Sequence, residues 1–212
     1  MPLMAVPGAT IKGRAVYEKG DGAGDFRVFA RGKKTDAYGS AVTAENGAYE
    51  IHSLREGEYT VHVENRSGDW VAEPVAVTLT EGETRRVADS VLTKGAIIEG
   101  VITEAESGAP APGVIVDAER VGARSWVAAM GSDKEGRYQV RVLPGENRVR
   151  IQAYGSKYLQ PEVDSKTVFV GLGETKRIDF QVKQGCSVSG KASDRRGEPV
   201  AGVQVSLYPG SS

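Results

Sequence analysis

Two histidines are the residues of this chain best suited to metal or acid–base chemistry. His52 and His62 each stand next to apolar residues that alternate with polar ones. At strand spacing, this alternation turns both imidazoles toward solvent on adjacent strands. A zinc site takes three or four ligands. The chain has no third histidine, and its single cysteine is far away in the sequence. We therefore interpret the pair as residues of a solvated strand face rather than as a metal site.

A glycine-rich segment offers carboxylates that could hold calcium. Asp21 and Asp25 lie within residues 20–25, where three of the six residues are glycine. Calcium accepts carboxylate and carbonyl oxygens, but this spacing lacks the ladder of acidic positions and the distant glutamate of an EF-hand loop. Turn formation is the favoured interpretation, with calcium binding as the alternative.

Three aromatic residues are candidates for contact with a ligand. Trp70 and Tyr158 stand 88 residues apart, at equivalent places in the internal repeat described below. Recurrence at one place favours a packing role, in which a ring closes one end of a domain. Trp126 has no aromatic residue at the aligned position, and it is the better candidate for an exposed contact with a sugar ring.

The sequence contains none of the motifs that would indicate an enzyme. There is no Gly-x-Ser-x-Gly turn for a serine nucleophile and no glycine-rich phosphate loop. The single cysteine, Cys186, aligns with Ala96, which predicts a small buried apolar residue rather than a reactive thiol. We expect no catalytic residues, no cofactor and no bound metal.

Composition excludes several further classes of protein. The 212 residues carry 27 basic and 28 acidic side chains, a net charge of −1. This balance predicts binding neither to a nucleic-acid backbone nor to an anionic membrane. No apolar run approaches the roughly 20 residues of a membrane span, and the first residues lack the pattern of a signal peptide. One cysteine cannot form an internal disulfide bond.

The elements that must position these residues come from an internal repeat with a period of about 90 residues. Short motifs return at offsets between 89 and 91 residues. Examples are Gly47-Ala48-Tyr49 with Gly136-Arg137-Tyr138, Gly82-Glu83-Thr84 with Gly173-Glu174-Thr175, and Gly24 with Gly113 and Gly202. Fixed-period similarity indicates a tandem array of one structural unit. The repeat predicts one domain at residues 1–93, a second at 94–184 and the start of a third at 185–212.

Within each unit, apolar residues alternate with polar ones and turn residues recur every 8–12 positions. This pattern predicts an all-β fold of short strands, either a sandwich or a barrel. We predict seven strands in the first unit, near residues 9–17, 25–31, 38–43, 48–53, 58–64, 74–80 and 84–92. The second unit repeats them near 96–104, 113–120, 125–131, 137–143, 147–153, 166–171 and 176–183, and the third has two, near 187–193 and 202–208.

The third unit is too short to bury a core of its own, because two strands are not independently stable. It therefore predicts exposed strand edges and self-association of the chain. The first two units are joined through Leu92 to Ala96 with no more than a glycine between strands, which predicts a semi-rigid connection rather than a flexible tether.

The order of turns and core residues resembles the carboxypeptidase regulatory-like domain. The resemblance covers nearly the whole chain, and it rests on Gly108-Ala109-Pro110-Ala111-Pro112-Gly113, Gly136-Arg137-Tyr138-Gln139-Val140, Leu143-Pro144-Gly145 and Gly197-Glu198-Pro199-Val200-Ala201-Gly202. It implies tandem seven-stranded, Greek-key, transthyretin-like β-sandwiches, with the third repeat truncated. The first unit departs from the pattern, since Arg55-Glu56-Gly57 stands where the second has Pro144-Gly145.

The resemblance also implies a role. Such domains are non-catalytic, and they occur as tandem arrays on bacterial secreted and surface proteins. We therefore expect an extracytoplasmic spacer or interaction segment of a larger protein, whose partners are the neighbouring domains of the same polypeptide. Two alternatives remain, a carbohydrate-binding module that contacts a polysaccharide and an accessory domain of a peptidase outside this segment. A protein surface is a further possible partner.

Overall fold

The computed structural model describes residues 7–34, 36–64, 68–122, 131–154, 156–186 and 189–206, together with the backbone of 126–128. The described residues are all-β and form two tandem sandwiches. None of them belongs to a helix of the length and apolarity needed to cross a membrane.

The first sandwich consists of nine strands in the described residues. They are β1 (Ala9–Tyr17), β2 (Arg27–Gly32), β3 (Tyr38–Val42), β4 (Ala48–Leu54), β5 (Gly57–Glu64), β6 (Val71–Ala72), β7 (Val75–Leu79), β8 (Thr84–Arg86) and β9 (Ser90–Thr93). One sheet has the order β4-β1-β9-β6, with β8 also paired to β1, and the facing sheet has the order β3-β2-β5-β7.

The second sandwich has the same strand order and connectivity as the first. Its strands are β10 (Ala96–Glu104), β11 (Ile115–Arg120), β12 (Trp126–Ala128), β13 (Arg137–Val142), β14 (Gly145–Gln152), β15 (Tyr158–Leu159), β16 (Ser165–Val170), β17 (Thr175–Arg177) and β18 (Phe180–Gln184). The sheet orders are β13-β10-β18-β15, with β17 paired to β10, and β12-β11-β14-β16. The 90-residue repeat in the sequence is therefore a repeat of topology.

Alternating apolar residues produce the two cores, as the sequence predicts. Along β1 and β10 every second residue is buried between the sheets. Tyr49 and Tyr138 are also buried, each the second residue of a strand that follows a tight turn. The glycines of those turns, Gly47 and Gly136, adopt φ values of 80° and 73°, which a side chain would strain.

The predicted final strand of each unit is divided in two. The interruption is clearest at Tyr138, whose hydroxyl donates a 2.6 Å hydrogen bond to the carbonyl of Ile178, between β17 and β18. The ring lies against Gly100, where a Cβ would stand 1.8 Å from the same carbonyl oxygen. The first half of β10 therefore pairs with β17 and its second half with β18. The short strands β6 and β15 are further additions to the seven predicted.

A buried hydroxyl ties together the two loops at one end of each sandwich. In the first, Thr43 Oγ1 donates to the Ala23 carbonyl at 2.6 Å and accepts from the Phe26 amide at 2.9 Å. In the second, Ser132 Oγ does the same with Ala111 and Val114. Backbone groups in these loops are buried away from water, where an unpaired group costs free energy. We call this arrangement the hydroxyl clamp.

The third unit begins as the other two do. A single β-bridge closes the turn after its first segment, between Ser193 and Pro199, as between Thr103 and Pro110 in the second sandwich. The prediction of strands near 187–193 and 202–208 is wrong for residues 189–206, which form no strand; the other residues of those ranges lie outside the described chain. A β-strand forms only where its backbone pairs with a neighbouring strand. Residues 189–206 pair with neither sandwich, so they form no strand.

We predict that Thr43→Val destabilises the first sandwich by about 1–3 kcal/mol, because it leaves a buried carbonyl and a buried amide unpaired. Ser132→Ala should do the same to the second. The measurement is urea unfolding followed by circular dichroism. Thr78→Val is the control, since Thr78 is exposed on β7, and a similar loss in that variant would contradict the role of the clamp.

Candidate functional site

The chain passes from the first sandwich to the second at Gly95, between β9 and β10. Gly95 has a φ of 54°, and a Cβ there would lie 2.3 Å from the Val142 carbonyl oxygen and 2.6 Å from Val71 Cγ2. Its amide donates to Thr93 Oγ1, and its carbonyl accepts from the Gly173 amide at 2.8 Å. The glycine is packed between the two sandwiches and bonded on both sides, so it is a fixed corner and not a free hinge.

An aromatic stack supports the same corner. The Lys94 ammonium lies 3.9 Å from the ring centroid of Trp70, and that ring packs on Tyr17 at 4.8 Å. The stack continues to Phe26 at the end of the first core. A cation over an indole is attracted by the electron-rich face of the ring. The linker residue is thereby held against the first sandwich.

Two arginines of the second sandwich complete the junction. Arg141 donates to the Lys94 carbonyl at 2.5 Å, and Arg120 forms an ion pair with Glu73 of the first sandwich. The Arg120 side chain is one-third exposed and Glu73 two-thirds exposed, so solvent weakens this pair. Together, the packed glycine, the stack and the arginine contacts join the two sandwiches at the junction.

The three predicted ligand contacts do not come together in one place. Trp70 is half-buried in the junction, under Lys94. Tyr158 is 5% exposed and belongs to the second core, so its ring offers little surface to a ligand. Trp126 opens β12, but its side chain lies outside the described residues. Ligand contact by these residues stays a prediction.

Trp126 does have an aromatic counterpart in the first sandwich. Trp126 pairs with Glu119 just as Tyr38 pairs with Arg31. The two rings are 88 residues apart in the sequence, and so are their two partners. The turn glycines repeat at an offset of 89 residues, whereas this hairpin repeats at 88, so an alignment on the glycines places the two rings one residue apart.

Both histidines lie on outward faces, as predicted. His52 is exposed beside Glu50, 3.6 Å from its carboxylate. His62 is half-buried and stacks on Phe29 at 4.9 Å. Burial and the charge of Arg31 lower the pKa of His62 to about 4, so its imidazole is neutral at physiological pH. In the described residues, no group of three metal-ligating side chains meets around either histidine or around Asp21 and Asp25.

The expectation for Cys186 is wrong. The residue is exposed, whereas its counterpart Ala96 is buried in the second core. Ala96 begins β10, where its side chain packs in the core of the second sandwich. Cys186 follows β18 and enters the third unit, where residues 189–206 form no sheet to cover it.

Sequence reasoning missed two sets of residues at the surface. One is the Glu73–Arg120 pair, which joins positions 47 residues apart. The other is a row of rings on β3, β2 and β5, comprising Tyr38, Phe29 and His62. A signal for the second set existed, since Phe29 stands between the buried Val28 and Ala30 and must therefore face outward.

No protein-family model matches this chain, and no curated protein matches it. Among solved structures, the Bacillus anthracis TIE protein is similar at 14% identity and a TM-score of 0.40, over 92% of this chain and 41% of that one. A streptococcal ancillary pilin is similar at 13% identity and a TM-score of 0.33, over 82% of this chain and 62% of that one. GBS52, the minor pilin of Streptococcus agalactiae, is similar at 13% identity and a TM-score of 0.35, over 88% and 100%. The chain thus spans less than two thirds of the first two.

We predict that Gly95→Ala disturbs both sandwiches at once, because the new methyl group meets Val71 on one side and Val142 on the other. Nuclear magnetic resonance should show shift changes at both valines and faster hydrogen exchange at the Gly173 amide. Gly108→Ala is the matched control, since Gly108 has a φ of 69° but open space around it. Changes confined to one sandwich in Gly95→Ala would contradict the packed junction.

Proposed function

We propose that this chain is a non-catalytic spacer and interaction segment of a larger bacterial secreted or surface protein. The observation that carries the proposal is the junction at Gly95, where two sandwiches are joined without a linker. A flexible connection would need several residues free of contacts. Here the corner glycine, the lysine before it and the strands beyond it are all bonded or packed.

A fixed junction suits a spacer for a mechanical reason. If each unit meets the next at a set angle, the length and direction of the array are set by the number of units, and the domain at its end is held at a defined distance. The array then presents its neighbours, which are other domains of the same polypeptide. Such a role needs the sandwich faces and loops only as contact surfaces, and no reactive side chain.

The proposed domain limits are 1–93, 94–184 and 185–212, with Gly95 just inside the second unit. An extracytoplasmic location is part of the proposal and follows from the resemblance to tandem surface modules. The two alternatives receive less support. The carbohydrate-binding role through Trp126, Trp70 and Tyr158 is weakened by the burial of Tyr158 and the cover over Trp70. An accessory role depends on a catalytic domain outside this segment.

We predict a narrow distance distribution between the two sandwiches. Spin labels at Glu45 and Glu135, which are exposed at equivalent turns, report that distance by pulsed electron resonance in a Cys186→Ser background. Inserting Gly-Ser-Gly-Ser between Lys94 and Gly95 should broaden the distribution, because the inserted residues make no contacts. If the native chain is as broad as the insertion variant, the spacer proposal fails.

We also predict self-association through the third unit. Val200, Val203 and Val205 are exposed, whereas the residues 89 positions earlier, Ala111, Val114 and Val116, are all fully buried in the second core. A pattern that is buried in one repeat and exposed in the next leaves apolar surface that a partner strand would cover.

Light scattering across a concentration series measures this association. The full chain should exceed the monomer mass at high concentration, while residues 1–184 stay monomeric. Val203→Asp with Val205→Asp in the full chain should restore the monomer, which separates the effect of apolar surface from that of length. Equal monomeric behaviour of all three proteins would contradict the prediction.

A further inference from the structure

A groove of about 760 Å³ lies on the first sandwich, and one residue of the second, Glu119 on β11, also lines it. One wall is the outward face of the sheet that contains β2, β3 and β5, and residues 33, 34, 36 and 37 also line the groove. The second sandwich contributes Glu119, the neighbour of Arg120 in the junction. The junction therefore decides whether the Glu119 carboxylate lies at the groove.

A row of three rings runs along the outward face of this sheet. Tyr38 stacks on Phe29 with centroids 6.2 Å apart and planes 28° apart, and Phe29 stacks on His62 at 4.9 Å and 16°. Arg27 donates to the Tyr38 hydroxyl at 2.7 Å. Tyr38 is 49% exposed, so the row ends in a ring that a ligand can reach. Tyr38 and His62 both line the groove.

Charged side chains surround this ring. Arg31, Lys33 and Lys34 bring three positive charges to the groove, and Asp36 and Glu119 bring two carboxylates. Lys33 lies 3.9 Å from Glu58, and both side chains are more than 40% exposed, which leaves the ammonium available to a ligand. With Arg27 at the Tyr38 hydroxyl and Glu58 beside Lys33, four cations meet three carboxylates, and this small excess of positive charge favours an anion. Asp36 and Glu119 accept hydrogen bonds from hydroxyl groups.

The fold itself does not require these rings. At the matched cross-strand position of the second sandwich, Asp117 and Arg150 replace Phe29 and His62. That pair is an ion pair at 3.1 Å, and it covers the same face of the equivalent sheet. The Phe29–His62 stack is therefore a property of the first sandwich, whereas the position of Tyr38 also carries an aromatic residue, Trp126, in the second.

We propose that the groove binds an acidic polysaccharide, a chain of sugar rings that carry carboxylates. One sugar stacks its C–H face on Tyr38, since the electron-rich face of an aromatic ring attracts such hydrogens. Lys33, Lys34 and Arg31 hold the carboxylates, and Asp36 and Glu119 accept from the hydroxyls. A polymer of carboxylates without hydroxyls would meet repulsion from the same two acids. The contribution of Glu119 rests on the junction between the sandwiches, which the distance measurement tests separately, whereas Tyr38 and the three cations belong to the first sandwich and do not depend on the spacer role.

The test is calorimetric titration of the whole chain with hexagalacturonate, which has both sugar rings and carboxylates. Maltohexaose supplies the rings without charge, and hexaglutamate supplies the charge without rings. We expect saturable binding of hexagalacturonate that weakens with added salt, because exposed charges are screened. Tyr38→Leu should weaken binding about five- to tenfold, the scale of one aromatic contact. Lys33→Gln with Lys34→Gln should weaken it and flatten its dependence on salt.

Two variants serve as matched controls. Tyr154→Leu removes a tyrosine that is 75% exposed on the second sandwich, and Lys191→Gln removes an exposed charge from the third unit; neither should change the affinity. Urea unfolding of each variant establishes that it folds. The proposal is overturned if hexagalacturonate does not bind, if maltohexaose or hexaglutamate binds equally well, or if Tyr38→Leu binds like the native chain.

Discussion

The need to pair buried backbone groups where the chain crosses between sheets governs both sandwiches. After β1 and β10 the chain leaves one sheet and enters the other, and its loop is covered by the turn that opens β4 or β13. The hydroxyls of Thr43 and Ser132 pair a carbonyl and an amide of that covered loop. The backbone of the same residues adds further bonds to the loop. In each sandwich, one small polar side chain thus joins the loop that crosses between the sheets to the turn before β4 or β13. The strands of both sheets extend from this end of the sandwich.

Glycine has a second and different use at positions where two parts of the backbone meet closely. At Gly100 the tyrosine ring and a carbonyl occupy the space of a side chain, which divides the neighbouring strand. At Gly95, Val71 of the first sandwich and Val142 of the second fill the space that a side chain would take, so the absence of a side chain lets the two sandwiches pack together. A glycine in a linker is usually a source of freedom, because it costs no strain in many conformations. When its surroundings are filled it becomes a constraint, and rigidity between units then follows from contacts rather than from linker composition.

Sequence reasoning recovers the features that depend on local pattern. The alternation around Tyr49 and Tyr138, the turn glycines and the repeat period predict the fold class and most strands. It misses features that depend on contacts distant in the sequence. The split between β17 and β18 requires knowing that Tyr138 reaches Ile178, and the junction pair joins Glu73 to Arg120; neither leaves a local signal. The alignment of Cys186 with Ala96 predicts burial wrongly, because an aligned residue is buried only when its own unit has a sheet to cover it.

The outward faces are where the two sandwiches differ most. Their cores repeat closely, since a core position accepts only apolar groups of suitable volume. An outward cross-strand pair has no such limit, and here it is Phe29 with His62 in one unit and Asp117 with Arg150 in the other. The two pairs occupy equivalent positions in the two sandwiches, yet one presents rings and the other an ion pair. The repeated core residues and turn glycines therefore specify the same fold in both units, while the outward-facing residues of each unit are free to differ. The junction then decides which of those surfaces face each other, so that Glu119 of one unit lies beside the rings of the other.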